Sequence, residues 1–289
     1  MRLSVVLASC RESAIVAEAI AALLPQCHEA GAELIVARSV PNGPADPEGL
    51  FAGCRLVHCL ATATIPEIRG AGLTGATGDF VLLTEDNCVP RANWVDRLFS
   101  GFDSGAEIVG GTMGNAHPDR AVDTAAYLAE YGFFGEARTA PGTGASPMVT
   151  GANVGYRRSV MHEAAAWASA GDWEGVIHHR LVAQGARVLL VRDAVVDQNL
   201  HYQVGSFCRD RFSHGFEYAS VRSAEWGVSR RLTMTCATVL LPLLLTWRAW
   251  QNAARASSTT FVRALPCTLV FFTAWAVGEA AGYLRGGKE

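Results

Sequence analysis

The stretch DFVLLTEDNCVP, Asp79 to Pro90, constrains this chain more than any other. Its first half is an unbroken apolar run, the pattern of a strand covered on both faces. That run delivers Glu85, Asp86 and Asn87 at its end. Charged groups at the tip of a buried strand are expected where the strand leaves the sheet and a ligand can sit. Extended geometry sends Glu85 and Asn87 to one side and Asp86 to the other.

The segments around it give the architecture. LSVVLAS (Leu3 to Ser9) reads as a strand, and ESAIVAEAIAALLPQ after it has apolar residues at helical spacing. AELIVARS and CRLVHCL read as further strands, separated by the turn-rich VPNGPADPEG. A helix is expected from Ile65 to Ala76, closed by Gly78 before DFVLLT. This alternation predicts an α/β domain with a mainly parallel, Rossmann-like central sheet. Ligands of such sheets lie beyond the C-terminal strand ends, which here carry Ser9 to Arg11, Ala37 to Ser39, and Glu85 to Asn87. Two carboxylates and an amide offer oxygen ligands to Mg²⁺ or Mn²⁺, which can bridge nucleotide phosphates. The same acids could instead cap a helix beginning near Arg91.

Four blocks occur in order: SVVLASCRESAIVAEAIAALLPQ, IRGAGLTGATGDFVLLTEDNCVPRANWVDRL, VTGANVGYRRSVM and DWEGVIHHRLVAQGARVLLVRDAVV. Over roughly residues 3 to 200 the chain resembles the family-2 nucleotide-sugar glycosyltransferases of GT-A fold. The resemblance implies metal-dependent transfer of a sugar, with inversion, from a nucleotide diphosphate to an acceptor hydroxyl. It places Glu85, Asp86 and Asn87 at the family's acidic metal and donor site, with Glu and Asn where Asp is usual. Arg69 in IRGAG matches the Arg of the family's ARNxG and suits the donor diphosphate; the motif's Asn is Gly70 here. Ser9, Arg11 and Arg38 fall at the donor end. Members often read VVDDGS after the second strand, the first Asp meeting the nucleobase, whereas this chain has Arg38 near that position.

The same resemblance puts Gly151, Ala152 and Asn153 near the donor sugar and acceptor, where small residues allow close backbone approach. In DWEGVIHHRL, Glu174 stands six residues before Arg180, the spacing of the family's EDxxxxxR, whose second acid is the general base. Trp173 occupies the place of the first acid and is read as lining the acceptor side. A carboxylate at an acceptor hydroxyl is what proton removal requires; an acid at a helix start is also an ordinary dipole partner. His201 matches a His that follows the last sheet strand in many members and is read as a further metal ligand. His178 and His179 invite the same reading less strongly, since a packed or solvated imidazole is the common fate.

With 289 residues, a formal charge of −3 and no long basic block, the composition argues against a nucleic-acid-binding surface as the main business of the chain. Its eight cysteines form no CxxC pair, and Met1 leads directly into RLSVVLAS, so a reduced, cytosolic main body is expected. The apolar excess concentrates in LTMTCATVLLPLLLTWRAW (Leu232 to Trp250) and LPCTLVFFTAWAVGEAAGYL (Leu265 to Leu284). These read as two transmembrane helices, or as two buried core helices given Glu279. Arg222, Arg230, Arg231, Arg285 and Lys288 would share one side, against Arg248, Arg255 and Arg263, which puts the main body at the cytoplasmic face of the cell membrane. Phe207, Arg211, His214 and Tyr218 recur at helical spacing, as in an interfacial helix or one packed under the main domain.

The expected division is a nucleotide-sugar half (1–112), an acceptor half (113–204), an amphipathic region (205–231) and the hydrophobic pair (232–289). The function expected is a membrane-associated glycosyltransferase acting on a lipid-linked or membrane-borne acceptor. Its alternative is a non-catalytic nucleotide-sugar-binding relative that serves as a membrane assembly subunit. Nucleotidyl transfer is disfavoured by the absence of a Gly-rich phosphate loop after the first strand.

Overall fold

The computed structural model describes residues 2–40, 46–136, 143–145, 148–253 and 258–285; Arg255 and Lys288 lie outside them. The chain forms two compact units, Met1–Gly114 with Thr139–Asn199, and Asn115–Arg138 with Leu200–Glu289.

The first unit is built on a nine-stranded sheet of order β3-β2-β1-β4-β8-β6-β9-β5, with β7 (Thr143–Ala145) added on β9. Strands β1 (Leu3–Ser9), β2 (Glu33–Arg38), β3 (Arg55–His58) and β4 (Phe80–Glu85) pair in parallel. Helices α1 (Ser13–Glu29) and α2 (Ile65–Gly75) provide crossovers between them, and α3 (Trp94–Ser100) comes after β4. β1 and β4 carry continuous apolar runs because both of their faces are covered.

Beyond β4 the expected mainly parallel arrangement gives way to a mixed one. β8 (Asn153–Arg157) inserts antiparallel between β4 and β6 (Ile108–Asn115), and β5 (Cys88–Pro90) pairs antiparallel with β9 (Val188–Gln198). The cause is tertiary: β8 follows a turn at residues 150–152 that reverses the chain beside the tip of β4, so it can pair only antiparallel. Its register sets Asn153 opposite Thr84 and brings Gly151 next to the end of β4.

Two further helices complete the unit's site. α5 (Arg158–Ser169) packs on α2, and α6 (Glu174–Ala183) follows it. The α2–α5 approach explains Gly70, because a Cβ there would lie 2.5 Å from the Ser169 backbone nitrogen. Gly70→Asn is therefore expected to destabilise the protein by about 1–3 kcal/mol through overpacking, read as a lowered thermal midpoint.

The second unit holds α4 (Ala121–Glu130), α7 (Val204–Arg222), α8 (Val228–Ala237), α9 (Leu241–Ala253) and α10 (Ser258–Arg285). A 3₁₀ turn at Thr238–Leu240 joins α8 to α9. It accommodates Pro242, which lacks the N–H that a continuous α-helix would need there.

Candidate functional site

The site is assembled at the C-terminal ends of β1, β2 and β4. A capping box fixes the start of α2: Glu67 accepts from both the backbone N–H (2.6 Å) and the hydroxyl (2.8 Å) of Thr64, with Pro66 in the first turn. Arg69 then falls one turn into the helix on its buried face.

Arg69 links two acids that are far apart in sequence. Its Nε and Nη2 donate to Glu85 Oε1 at 3.0 and 2.5 Å, and its Nη1 donates to Glu174 Oε2 at 2.7 Å. Gly151 lies against the guanidinium so closely that a Cβ would sit 2.6 Å from Nη1. Trp173, at the cap of α6, presents its ring 5.7 Å from the Arg69 Cζ. Arg69, Glu85, Gly151, Trp173 and Glu174 thus form one cluster. A cavity of about 10 Å³ beside it, bordered by Arg69, Tyr156 and Glu174, has room for about one water.

Electrostatics set the state of Glu174. Burial pushes its carboxyl up, but the Arg69 charge and hydrogen bond outweigh that and hold it below the usual glutamate value. It is therefore ionised at neutral pH and able to receive a proton. Behind it, His178 accepts or donates a 2.7 Å bond with the Tyr156 hydroxyl. Burial lowers the imidazole to about 4, so it is neutral, a packed group rather than a charged one.

Asp86 takes a different role from its neighbour. It is 3% exposed, and its Oδ2 accepts the backbone N–H groups of Cys10 and Arg11, both at 2.8 Å. Burial raises its carboxyl, and the nearby Arg11 and the two amides offset this only in part. Asp86 thereby fixes the β1–α1 loop, while Glu85, on the opposite side of the strand, turns to Arg69. Arg11 keeps a partly exposed guanidinium 3.5 Å from Asp86.

The β2 end is organised around Arg38. Its Nε and Nη2 engage Asp46 at 3.3 and 2.7 Å, and its Nη1 donates to Ser9 Oγ and the Arg11 carbonyl. Asp46 also accepts from Ser13 and is held below the usual carboxylate range, chiefly by the Arg38 hydrogen bond. Sequence reasoning missed Asp46, which lies in a segment that reads only as a turn. The available signal was Arg38 itself, since a guanidinium buried at a strand end requires an acid.

Other residues singled out in the sequence lie elsewhere. Asn153 is buried, donating to the Thr112 and Ala194 carbonyls and accepting from Trp94 Nε1. It ties β8 to the sheet interior. Ala152 is buried with its carbonyl bound by Thr84. His201 belongs to the second unit, where its Nδ1 is 2.8 Å from the buried Asp123.

The oxygen donors do not fit a divalent cation as arranged. Glu85 is engaged by Arg69, Asp86 by two amides and Arg11, and Asn87 is buried. Among the described residues, no three His, Cys, Asp or Glu side chains converge on one point.

No protein-family model matches the chain, and no curated protein sequence matches it. Among solved structures it is similar to the mannosyltransferase PcManGT from Pyrobaculum calidifontis in complex with GDP-Man and Mn²⁺. The match has a TM-score of 0.54 at 16% identity and covers 96% of this chain and 86% of that one. The likeness shows that this chain has the fold of a glycosyltransferase.

Proposed function

We propose that the protein is a family-2 glycosyltransferase that moves a sugar from a nucleotide diphosphate to a hydroxyl of a membrane-borne acceptor at the cytoplasmic face of a membrane. The observation that carries this reading is the Arg69 bridge, which unites the tip of β4 with an ionised carboxylate at the start of α6. The fold supports it, and the two apolar C-terminal stretches support the membrane placement.

The chemistry follows from the cluster. The acceptor oxygen attacks the anomeric carbon, its proton passes to Glu174, and the nucleoside diphosphate departs from the opposite face, inverting that centre. Trp173 and Gly151 flank the base, whose side chain is 24% exposed. Arg11, whose guanidinium is partly exposed, supplies positive charge for the departing diphosphate, while Arg69, bound to two carboxylates, holds Glu174 in place. No step is routed through a cation, because the donors present are otherwise engaged.

The test is a thermal-shift and transfer panel of nucleotide sugars, each with and without Mn²⁺, beginning with GDP-mannose, the donor held by the structural neighbour. A ligand at about one hundred times its Kd stabilises the folded state by about 2.7 kcal/mol, so one nucleotide should raise the midpoint clearly. Failure of every nucleotide to shift it would remove the reading. The commitment of Glu85 and Asp86 to protein partners favours a second reading, a non-catalytic nucleotide-sugar-binding relative. It predicts a midpoint shift with no donor hydrolysis and no transfer.

A pH profile probes the base directly. Because Arg69 depresses Glu174, the acid limb of kcat/KM should fall below about 4.3, the ordinary glutamate value. In Arg69→Gln the limb should move upward; a limb fixed in position would separate Glu174 from the rate.

A further inference from the structure

By length and composition, Val228–Gln251 (24 residues) and Ser258–Arg285 (28 residues) are each long enough to cross a bilayer. The packing inside the second unit argues for another arrangement. α7 runs parallel to the C-terminal half of α10: Phe207 meets Phe271 with ring centroids 4.5 Å apart, and Arg222 Nη1 lies 3.3 Å from the Tyr283 hydroxyl. The backbones touch through glycine. A Cβ on Gly278 would fall 2.0 Å from the Phe212 carbonyl oxygen, and one on Gly215 would fall 2.4 Å from that of Trp275. The outer face of α7 exposes Arg209, Asp210 and Glu217. Ionised groups at the centre of a membrane cost about 2.5–3.5 kcal/mol each even on the most lenient scales. A helix locked along α7 is thus kept out of the hydrocarbon on that side. Glu279 is accordingly a core acid, accepting from Trp275 Nε1 and the Tyr283 hydroxyl, both at 2.8 Å.

Val228–Gln251 lies antiparallel on α10. Trp226 stacks on Tyr283 at 5.7 Å at one end, and Trp250 meets Phe261 at 5.0 Å at the other. Its outward positions 232, 236, 239, 240, 243, 244 and 247 recur at helical spacing, with Val239 76%, Leu240 66% and Leu243 66% exposed. α10 adds a second outward stripe through Val262, Val270 and Val277. The charge of this region has one sign: no Asp or Glu occurs between Glu225 and Glu279, whereas Arg230, Arg231, Arg248, Arg255 and Arg263 do. Arg230 sits over the Trp226 ring at 4.0 Å. An apolar face bounded by arginine and tryptophan matches the acyl layer and anionic headgroups of one leaflet.

We propose that the second unit is a monotopic anchor. The outward faces of Val228–Gln251 and α10 sink into one leaflet of an anionic membrane, the arginines meet its headgroups, and neither helix crosses. This deepens the membrane placement proposed above and is independent of sugar transfer.

The test uses the full chain with Cys236→Ala, to remove an exposed thiol, and with Ser229→Cys or Gln251→Cys added singly. Each is placed in sealed vesicles and exposed to a membrane-impermeant maleimide, with labelling read at the peptide level. An in-plane segment puts both positions on the same side; labelling from opposite sides would overturn the proposal. In flotation, the chain should bind vesicles of phosphatidylcholine with phosphatidylglycerol. Leu240→Glu combined with Leu243→Glu should lower the bound fraction at least about tenfold, with an unchanged thermal midpoint in detergent as the control for folding. A chain that ignores both anionic and neutral vesicles and dimerises through this face would refute it and assign the face to a second copy.

Discussion

Glu174→Gln is expected to lower transfer by about 10²–10⁴-fold while leaving donor binding unchanged. The amide keeps the shape of the side chain and its ability to accept from Arg69 Nη1, so the site should stay assembled. What it loses is the capacity to take the acceptor proton. Kinetics with saturating donor separate the outcomes: a fall in kcat with an unaltered donor midpoint shift identifies the base, and retained turnover removes Glu174 from that role. Glu174→Asp should recover part of the rate only if the shorter acid still reaches the hydroxyl, because proton transfer needs hydrogen-bond contact.

Arg69→Met is expected to be the most destabilising single change in the first unit. It leaves Glu85 and Glu174 facing each other without their common counter-charge. Breaking a buried pair from one side costs about 3–5 kcal/mol, and the lower end applies because Glu174 is only half-buried. For a chain of this size that corresponds to a midpoint roughly 6–12 °C lower. The loss should shrink in acid. A carboxylate depressed in the folded state stabilises the protein above its unfolded value of about 4.3 and ceases to do so as pH falls through the folded value. Wild type and Arg69→Met should therefore converge in stability only once the pH has fallen below the depressed value of Glu174. Equal stability of the two at neutral pH would mean that the bridge contributes nothing, and the proposed site would lose its organising element.

The parallel half of the fold was legible because its strands are continuous apolar runs bounded by turns. β1 is found at the expected residues, Leu3–Ser9, and β4 extends one residue beyond its apolar run to end on Glu85. β8 was not legible. Its sequence NVGYR is short and interrupted by glycine, and it becomes a strand only because β4 and β6 offer open edges on both sides. The same tertiary dependence hid the true place of Asn153. An amide in a glycine-rich motif reads as facing a ligand, whereas here it joins three separate segments of the interior. The Arg69–Glu174 contact spans 105 residues of sequence, a separation at which no local pattern carries information. The resemblance to a known family named both residues but not their contact.

The insertion of β8 between β4 and β6 also bears on how the protein is made. β4 ends at Glu85 and its antiparallel neighbour begins at Asn153, so about 70 residues must leave the ribosome before that edge can be closed, roughly 4–15 s at about 5–20 residues per second. During that interval an apolar strand edge, Phe80 to Leu83, is open to pairing with another nascent chain. Translation speed across residues 86–153, and the chaperones that meet the chain there, would then decide yield more than the stability of the finished fold does. Slowing synthesis once β8 has left the ribosome should be harmless, whereas slowing it before then should favour aggregation.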